Sequence, residues 1–137
     1  MARAKSSLPV PDSPWISTGI SRCANLCAIA CDRMIISDGY NGTPSGFENC
    51  CEDEEGLTNW YVLHAEANAI LKVASSTQTC QDATLYITLS PCKDCSKLIH
   101  QSGIKRVVFQ TGYRDTSGID FLKKAGVEVV QIADLSI

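Results

Sequence analysis

Apolar residues gather in five short blocks along this chain, and in three further stretches they recur at helical spacing. The blocks LCAIAC (26–31) and MIIS (34–37) predict two strands joined at Asp32-Arg33, a hairpin whose turn pair is not among the favoured ones. TLYITL (84–89), RVVFQ (106–110) and VEVVQI (127–132) predict three more strands. HAEANAILKVA (64–74) carries apolar positions near the 3.6-residue period and predicts a helix. Ser90-Pro91 breaks the third strand, a helix follows over 92–101 and stops at Gly103, and a last helix over 117–125 is closed by Gly126. A weaker helical stretch spans 15–25, with Pro14 suited to a first turn and Gly19 interrupting it. Residues 38–59, rich in Gly, Asn, Pro and acids, predict a long loop; loops of that length inside a compact domain usually carry function.

The second half thus runs strand, helix, strand, helix, strand, which demands crossover connections and parallel pairing, while the opening hairpin adds an antiparallel edge. The expected class is α/β, a three-layer α/β/α sandwich around a five-stranded mixed sheet. A length of 137 residues suits one domain, 15–137, behind a flexible arm, 1–14. No apolar run approaches the ~18 residues of a membrane span, and no apolar stretch follows the basic residues near the N-terminus as in a secretory signal. A cytoplasmic protein with no membrane partner is the expectation. With 12 basic against 15 acidic residues the chain is mildly acidic, which argues against a nucleic-acid polymer and for a small molecule as partner. Eight cysteines without a signal peptide point to metal ligands and buried thiols rather than to a disulfide framework.

Two fragments carry chemistry: HAE (His64, Ala65, Glu66) and PCKDC (91–95). Cys92 and Cys95 lie three apart at a helix start, where unpaired backbone N–H groups stabilise thiolates. His64, one of two histidines, stands at the start of the preceding helix. Three protein ligands leave a fourth tetrahedral position open, the mark of a catalytic rather than a structural zinc. A lone CxxC would equally suit a redox pair, and a lone histidine a surface or core position. Together the fragments match the zinc-deaminase signature, H-x-E followed by P-C-x-x-C. Zinc lowers the pKa of water, and one carboxylate, Glu66, can move protons from water to ring nitrogen and leaving amine. His64 and Glu66 face opposite ways in mid-helix, so this reading requires His64 at the very beginning of its helix.

At these residues the chain resembles the cytidine-deaminase-like superfamily, and within it the deoxycytidylate (dCMP) deaminases. GYNGTPSGFENCCE (39–52), VLHAEANAI (62–70) and LYITLSPCKDCSKLI (85–99) leading into SGIKRVVF carry the likeness, which spans residues 21 to 130. It implies conversion of dCMP to dUMP, a homo-oligomer (a hexamer), and regulation by dCTP and dTTP with magnesium between the phosphates. It also implies substrate contact by Asn41, with Tyr113 and Arg114 as an aromatic-basic pair near nucleotide phosphates. A regulatory nucleotide would sit at the loop holding Gly39, Tyr40, Gly42 and Thr43. The likeness breaks at SRCANLCAIACDRM, where the family's basic segment has no equivalent, leaving Arg22 as the candidate for the 5′-phosphate.

Cys23, Cys50 and Cys51 could hold a second zinc, and Cys27, Cys31 and Cys80 read as buried thiols. His100 ends a helix as a solvated or dipole-favoured residue. Two other functions stay open: a deaminase of another base carrier, such as tRNA adenosine or guanine, and a non-catalytic zinc-stabilised binding module. Free cytidine deaminases usually place cysteine where His64 stands.

Overall fold

The computed structural model describes residues 25–132. Its elements are β1 (Leu26–Cys31), β2 (Met34–Tyr40), α1 (Ala65–Ala74), β3 (Thr84–Leu89), α2 (Lys93–Gln101), β4 (Arg106–Thr111), α3 (Ser117–Lys124) and β5 (Glu128–Gln131). The five strands form one sheet in the order β2-β1-β3-β4-β5, antiparallel at β2-β1-β3 and parallel at β3-β4-β5.

The Asp32-Arg33 turn forms with both residues at positive φ, 50° and 68°. That is the twist a two-residue hairpin turn needs, and the ladder on either side holds two non-glycine residues in it. The pairing also corrects one boundary. β2 does not end at Ser37: Asp38, Gly39 and Tyr40, expected to open the long loop, pair with Ala28, Cys27 and Leu26. A two-residue turn obliges the second strand to run as far as the first. The register shift between Ile29 and Ala30 absorbs the one extra residue of β2.

Gly39 has a packing reason to be glycine. A Cβ there would lie 2.3 Å from the Ala65 carbonyl oxygen and 2.8 Å from the Ala69 nitrogen. The start of α1 therefore rests directly on the β2 backbone. The same seam is held by the Ser37 hydroxyl donating to the Ala69 carbonyl (2.8 Å) and the Cys27 thiol to the Ala65 carbonyl (3.1 Å).

One core cluster joins Cys27, Ile29, Leu85, Ile87, Val107 and Phe109 of the sheet to residues of all three described helices, among them Ala69, Ile99 and Leu122. The three helices thus share one face of the sheet, and complete burial of each Leu, Ile or Val is worth roughly 1.5–3 kcal/mol. On the other face Leu26 and Tyr86 stay half exposed. The arm 1–14 and most of the weak helix at 15–25, the candidate for the third layer, lie outside the described residues, as do Arg22 and Cys23. Asn25, the last residue of that stretch, is not helical but leads into β1. Among the described residues no helix is long and apolar enough to cross a membrane.

Candidate active site

Both fragments with chemistry sit where a helix begins at one end of the sheet. His64 is extended (φ −68°, ψ 158°) and α1 starts only at Ala65. That frees His64 from the helical geometry that would turn it away from Glu66. No side chain of α1 caps its own start; Asn41 does so from the loop after β2, its Oδ1 accepting the Ala65 N–H at 2.8 Å. Cys92 was expected inside its helix and instead precedes it, extended at φ −73°, ψ 170°. Its Sγ accepts the Cys95 N–H at 3.4 Å, the role a serine or aspartate oxygen usually plays.

The Pro91-Cys92 peptide is held from behind. Ser96, fully buried, donates its hydroxyl to the Cys92 carbonyl at 2.8 Å. Gly118 of α3 presses against the same segment, where a Cβ would come 2.5 Å from the Pro91 carbonyl oxygen.

These two helix starts bring three ligand atoms together. The His64 Nδ1 lies 3.6 Å from the Cys92 Sγ and 3.4 Å from the Cys95 Sγ. A tetrahedral zinc with sulfur at ~2.3 Å and nitrogen at ~2.0–2.1 Å separates such atoms by ~3.5 Å. The residues present therefore fit a zinc ion. Their electrostatics agree: the Cys92 thiol is pushed down to about 4, chiefly by the Cys95 hydrogen bond and then by His64. His64 is raised by its contact with the Cys92 sulfur, and Cys95 is raised by Cys92 and by burial. A thiolate held beside an imidazole in a half-buried cleft is a prepared cation site.

Glu66 stands against this triad, 1% exposed, and among the described residues its Oε2 has no hydrogen-bond partner. Burial pushes its carboxyl up to about 7. A structural zinc would use such a side chain as a ligand or leave the position apolar. A buried carboxyl near neutrality with one oxygen unpartnered suits proton transfer.

The site opens into a cavity of about 210 Å³ lined by His64, Glu66 and Cys92, together with Asn25, Asn41, Thr58, Leu89, Ser90 and Tyr113. Asn41 and Tyr113, singled out from sequence, are there. The Tyr113 N–H donates to the Ser90 Oγ at 2.7 Å, tying the loop after β4 to the segment ahead of Cys92. Arg114 is exposed and not among the lining residues. Sequence reasoning missed Ser90, which directly precedes the PCKDC fragment, and Asn25 and Thr58, which belong to no motif and reach the cavity only through pairing of distant segments.

Tyr40, Gly42 and Thr43 line a different, more open cavity with Asn68 and Lys72, whereas Gly39 lies beneath α1. Among the described residues no potential metal-binding group of three includes Cys50 or Cys51. The Cys50 thiol donates to the Glu52 carbonyl (3.1 Å), and Cys51 is buried. Cys27 and Cys80 are core thiols, burial pushing Cys27 up to about 12. His100, exposed in the last turn of α2, meets the Phe121 ring edge-on at 6.0 Å.

Comparison with known proteins agrees with this geometry. A family model, the cytidine and deoxycytidylate deaminase zinc-binding region, matches residues 21–111. The deoxycytidylate deaminase of Enterobacteria phage T4 is 36% identical over 141 residues, covering 72% of this chain and 73% of its own. That of Saccharomyces cerevisiae is 39% identical over 117 residues, covering 78% of this chain but only 37% of the longer yeast protein. A dCMP deaminase from the cyanophage S-TIM5, solved in complex with dCMP and dUMP, superposes with a TM-score of 0.78 at 45% identity, covering 85% of this chain and 89% of its own. The mixed five-stranded sheet, the paired helix starts and these likenesses converge: this chain belongs to the cytidine and deoxycytidylate deaminase family.

Proposed function

We propose that this chain hydrolyses dCMP to dUMP, with His64, Cys92 and Cys95 holding zinc and Glu66 moving the protons. The observation that carries the reading is the buried Glu66 carboxyl, its Oε2 without a hydrogen-bond partner among the described residues, beside three converging metal-ligand atoms. Zinc, when bound, lowers the pKa of water and so supplies the nucleophile at neutral pH. Glu66 then takes the water proton and gives it to the ring nitrogen next to C4. As the C4–N bond breaks it takes the second water proton from the new C4 hydroxyl and passes it to the departing amine, so that ammonia leaves and a carbonyl remains. A carboxyl held near 7 exchanges protons in both directions at little cost. Asn41 orients the nucleotide from beside the start of α1, and Tyr113, with Arg114 beyond it, approaches the phosphate end. The choice of dCMP is supported by the relatives, which carry that substrate in their names.

The test is ammonia release, or absorbance change, with dCMP, deoxycytidine, cytidine, guanine and a tRNA anticodon stem-loop as substrates. Turnover should require the 5′-monophosphate, with dCMP far ahead of either nucleoside. Faster processing of cytidine, guanine or the stem-loop would overturn the substrate while leaving the zinc chemistry standing.

The cavity at Tyr40, Gly42 and Thr43 suits a regulatory nucleotide: the loop is rich in small residues, and Lys72 and Asn68 line its wall. In this reading dCTP with magnesium lowers the apparent KM for dCMP and dTTP raises it, through contacts between subunits of a homo-oligomer. Coupling between sites typically amounts to ~1–3 kcal/mol, roughly 5–150-fold in affinity. Hyperbolic dCMP kinetics unchanged by either triphosphate would mark an unregulated enzyme. A second zinc on Cys50 and Cys51 would need Cys23, and a zinc content of about two per chain would reveal it.

A further inference from the structure

Asn25 immediately precedes β1, beside Asn41 just past the end of β2, whose N–H donates to the Asn25 carbonyl at 3.3 Å. Two residues further on, the Cys27 thiol reaches the Ala65 carbonyl at 3.1 Å. Alternation along a strand therefore puts Asn25 on the side of the sheet that carries α1 and the metal ligands. Its Oδ1 accepts the Leu89 N–H at 3.2 Å and the Thr88 hydroxyl at 2.6 Å, and it shares the Leu26 N–H, at 3.1 Å, with the Thr88 Oγ1.

Two of those three are backbone N–H groups, which can only donate. The orientation of the amide is thereby settled by chemistry: oxygen toward the end of β3, –NH2 on the other limb. Among the described residues that –NH2 meets no acceptor, yet Asn25 is half buried and lines the cavity with His64, Glu66 and Cys92. Among the described residues lining this cavity there is no lysine or arginine, and the Asn25 amide faces it as a fixed neutral donor.

We propose that Asn25 is a specificity residue whose side-chain –NH2 donates to an oxygen of the bound pyrimidine nucleotide. This rests on the deaminase reading of the cavity. The three bonds on Oδ1 hold the amide in place before substrate arrives, so little ordering remains to be done on binding. A ligand lacking the matching oxygen leaves the donor buried and unpaired, which is how a polar site discriminates.

Asn25→Asp tests this, because it keeps an oxygen for all three inward bonds and replaces only the –NH2. Zinc content should match wild type, and the melting temperature should stay close to it. KM for dCMP should rise roughly tenfold or more, with kcat changed less. The rise should persist in 1 M salt, where the screening length is about 3 Å and repulsion from the new charge is damped. Deoxycytidine assayed alongside locates the oxygen: a rise confined to dCMP assigns the phosphate, and an equal rise on both assigns the base or sugar. In wild type, independently of any variant's folding, the Asn25 side-chain amide resonances should shift on titration with dUMP.

An unchanged KM in a stable Asn25→Asp protein, a rise that vanishes in salt, or amide resonances indifferent to dUMP would overturn the assignment and leave Asn25 a clip between β1 and β3. Wild-type protein inert toward dCMP would sink the dCMP reading and this assignment together. Active wild type with an unaltered variant sinks this assignment alone.

Discussion

Glu66→Gln will leave zinc and fold in place and remove nearly all turnover. Glutamine has the size of glutamate, so α1 keeps its start and its seam against β2. What it loses is the capacity to accept a proton and give it back. General acid–base groups typically contribute ~10²–10⁴-fold, and a single group serving water, ring nitrogen and leaving amine in turn stands at or beyond the upper end of that range. The carboxyl is buried at 1% exposure with one oxygen unpartnered, so a neutral amide there costs the fold nothing. The melting temperature should therefore equal or exceed that of wild type, a separation of stability from activity found at sites built for chemistry. Steady-state kinetics with dCMP, zinc analysis and a thermal melt check the three parts. Activity within a factor of a few of wild type would remove Glu66 from its role.

The second large effect concerns the metal. Purified protein should carry at least one zinc per chain, lose turnover when a strong chelator removes it, and regain turnover on zinc addition. Cys92 offers a sharper test than deletion of a ligand, because its sulfur has two tasks: it faces His64 and it accepts the Cys95 N–H at the start of α2. Cys92→Ala removes both. Cys92→Ser keeps a favoured helix-capping oxygen and removes only the soft ligand. Both variants should fail to retain zinc, while the zinc-free serine variant should melt close to zinc-free wild type and above the alanine variant by roughly 1 kcal/mol of stability. Full zinc occupancy in either variant would refute the ligand assignment.

Much of this protein was legible residue by residue. The strands at Leu26–Cys31, Thr84–Leu89 and Arg106–Thr111 and the helix of HAEANAILKVA follow from apolar periodicity, and the order of elements dictates which pairs run parallel. The zinc triad was legible for a different reason. Each half is a short local motif at a helix start, so its spacing is written in adjacent residues. The requirement that His64 precede its helix was itself a deduction from a two-residue spacing, and the extended His64 backbone meets it.

What the chain alone determined, then, is everything that depends on neighbours along it: element type, the three-residue spacing of Cys92 and Cys95 at a helix start, and the choice of chemistry at Glu66. Tertiary structure decided what depends on partners far away in sequence. β2 runs on to Tyr40 because Leu26 is there to pair with it, although Asp38 and Gly39 read locally as loop. Gly39 is demanded by the backbone of α1, and Gly118 by the Pro91 carbonyl. Asn41 spends its side-chain Oδ1 on the Ala65 N–H, 24 residues away. Asn25 is oriented by Leu89, 64 residues away. A hydrogen bond or a van der Waals contact is satisfied by whichever group arrives at the right distance, and only the folded chain determines which group that is.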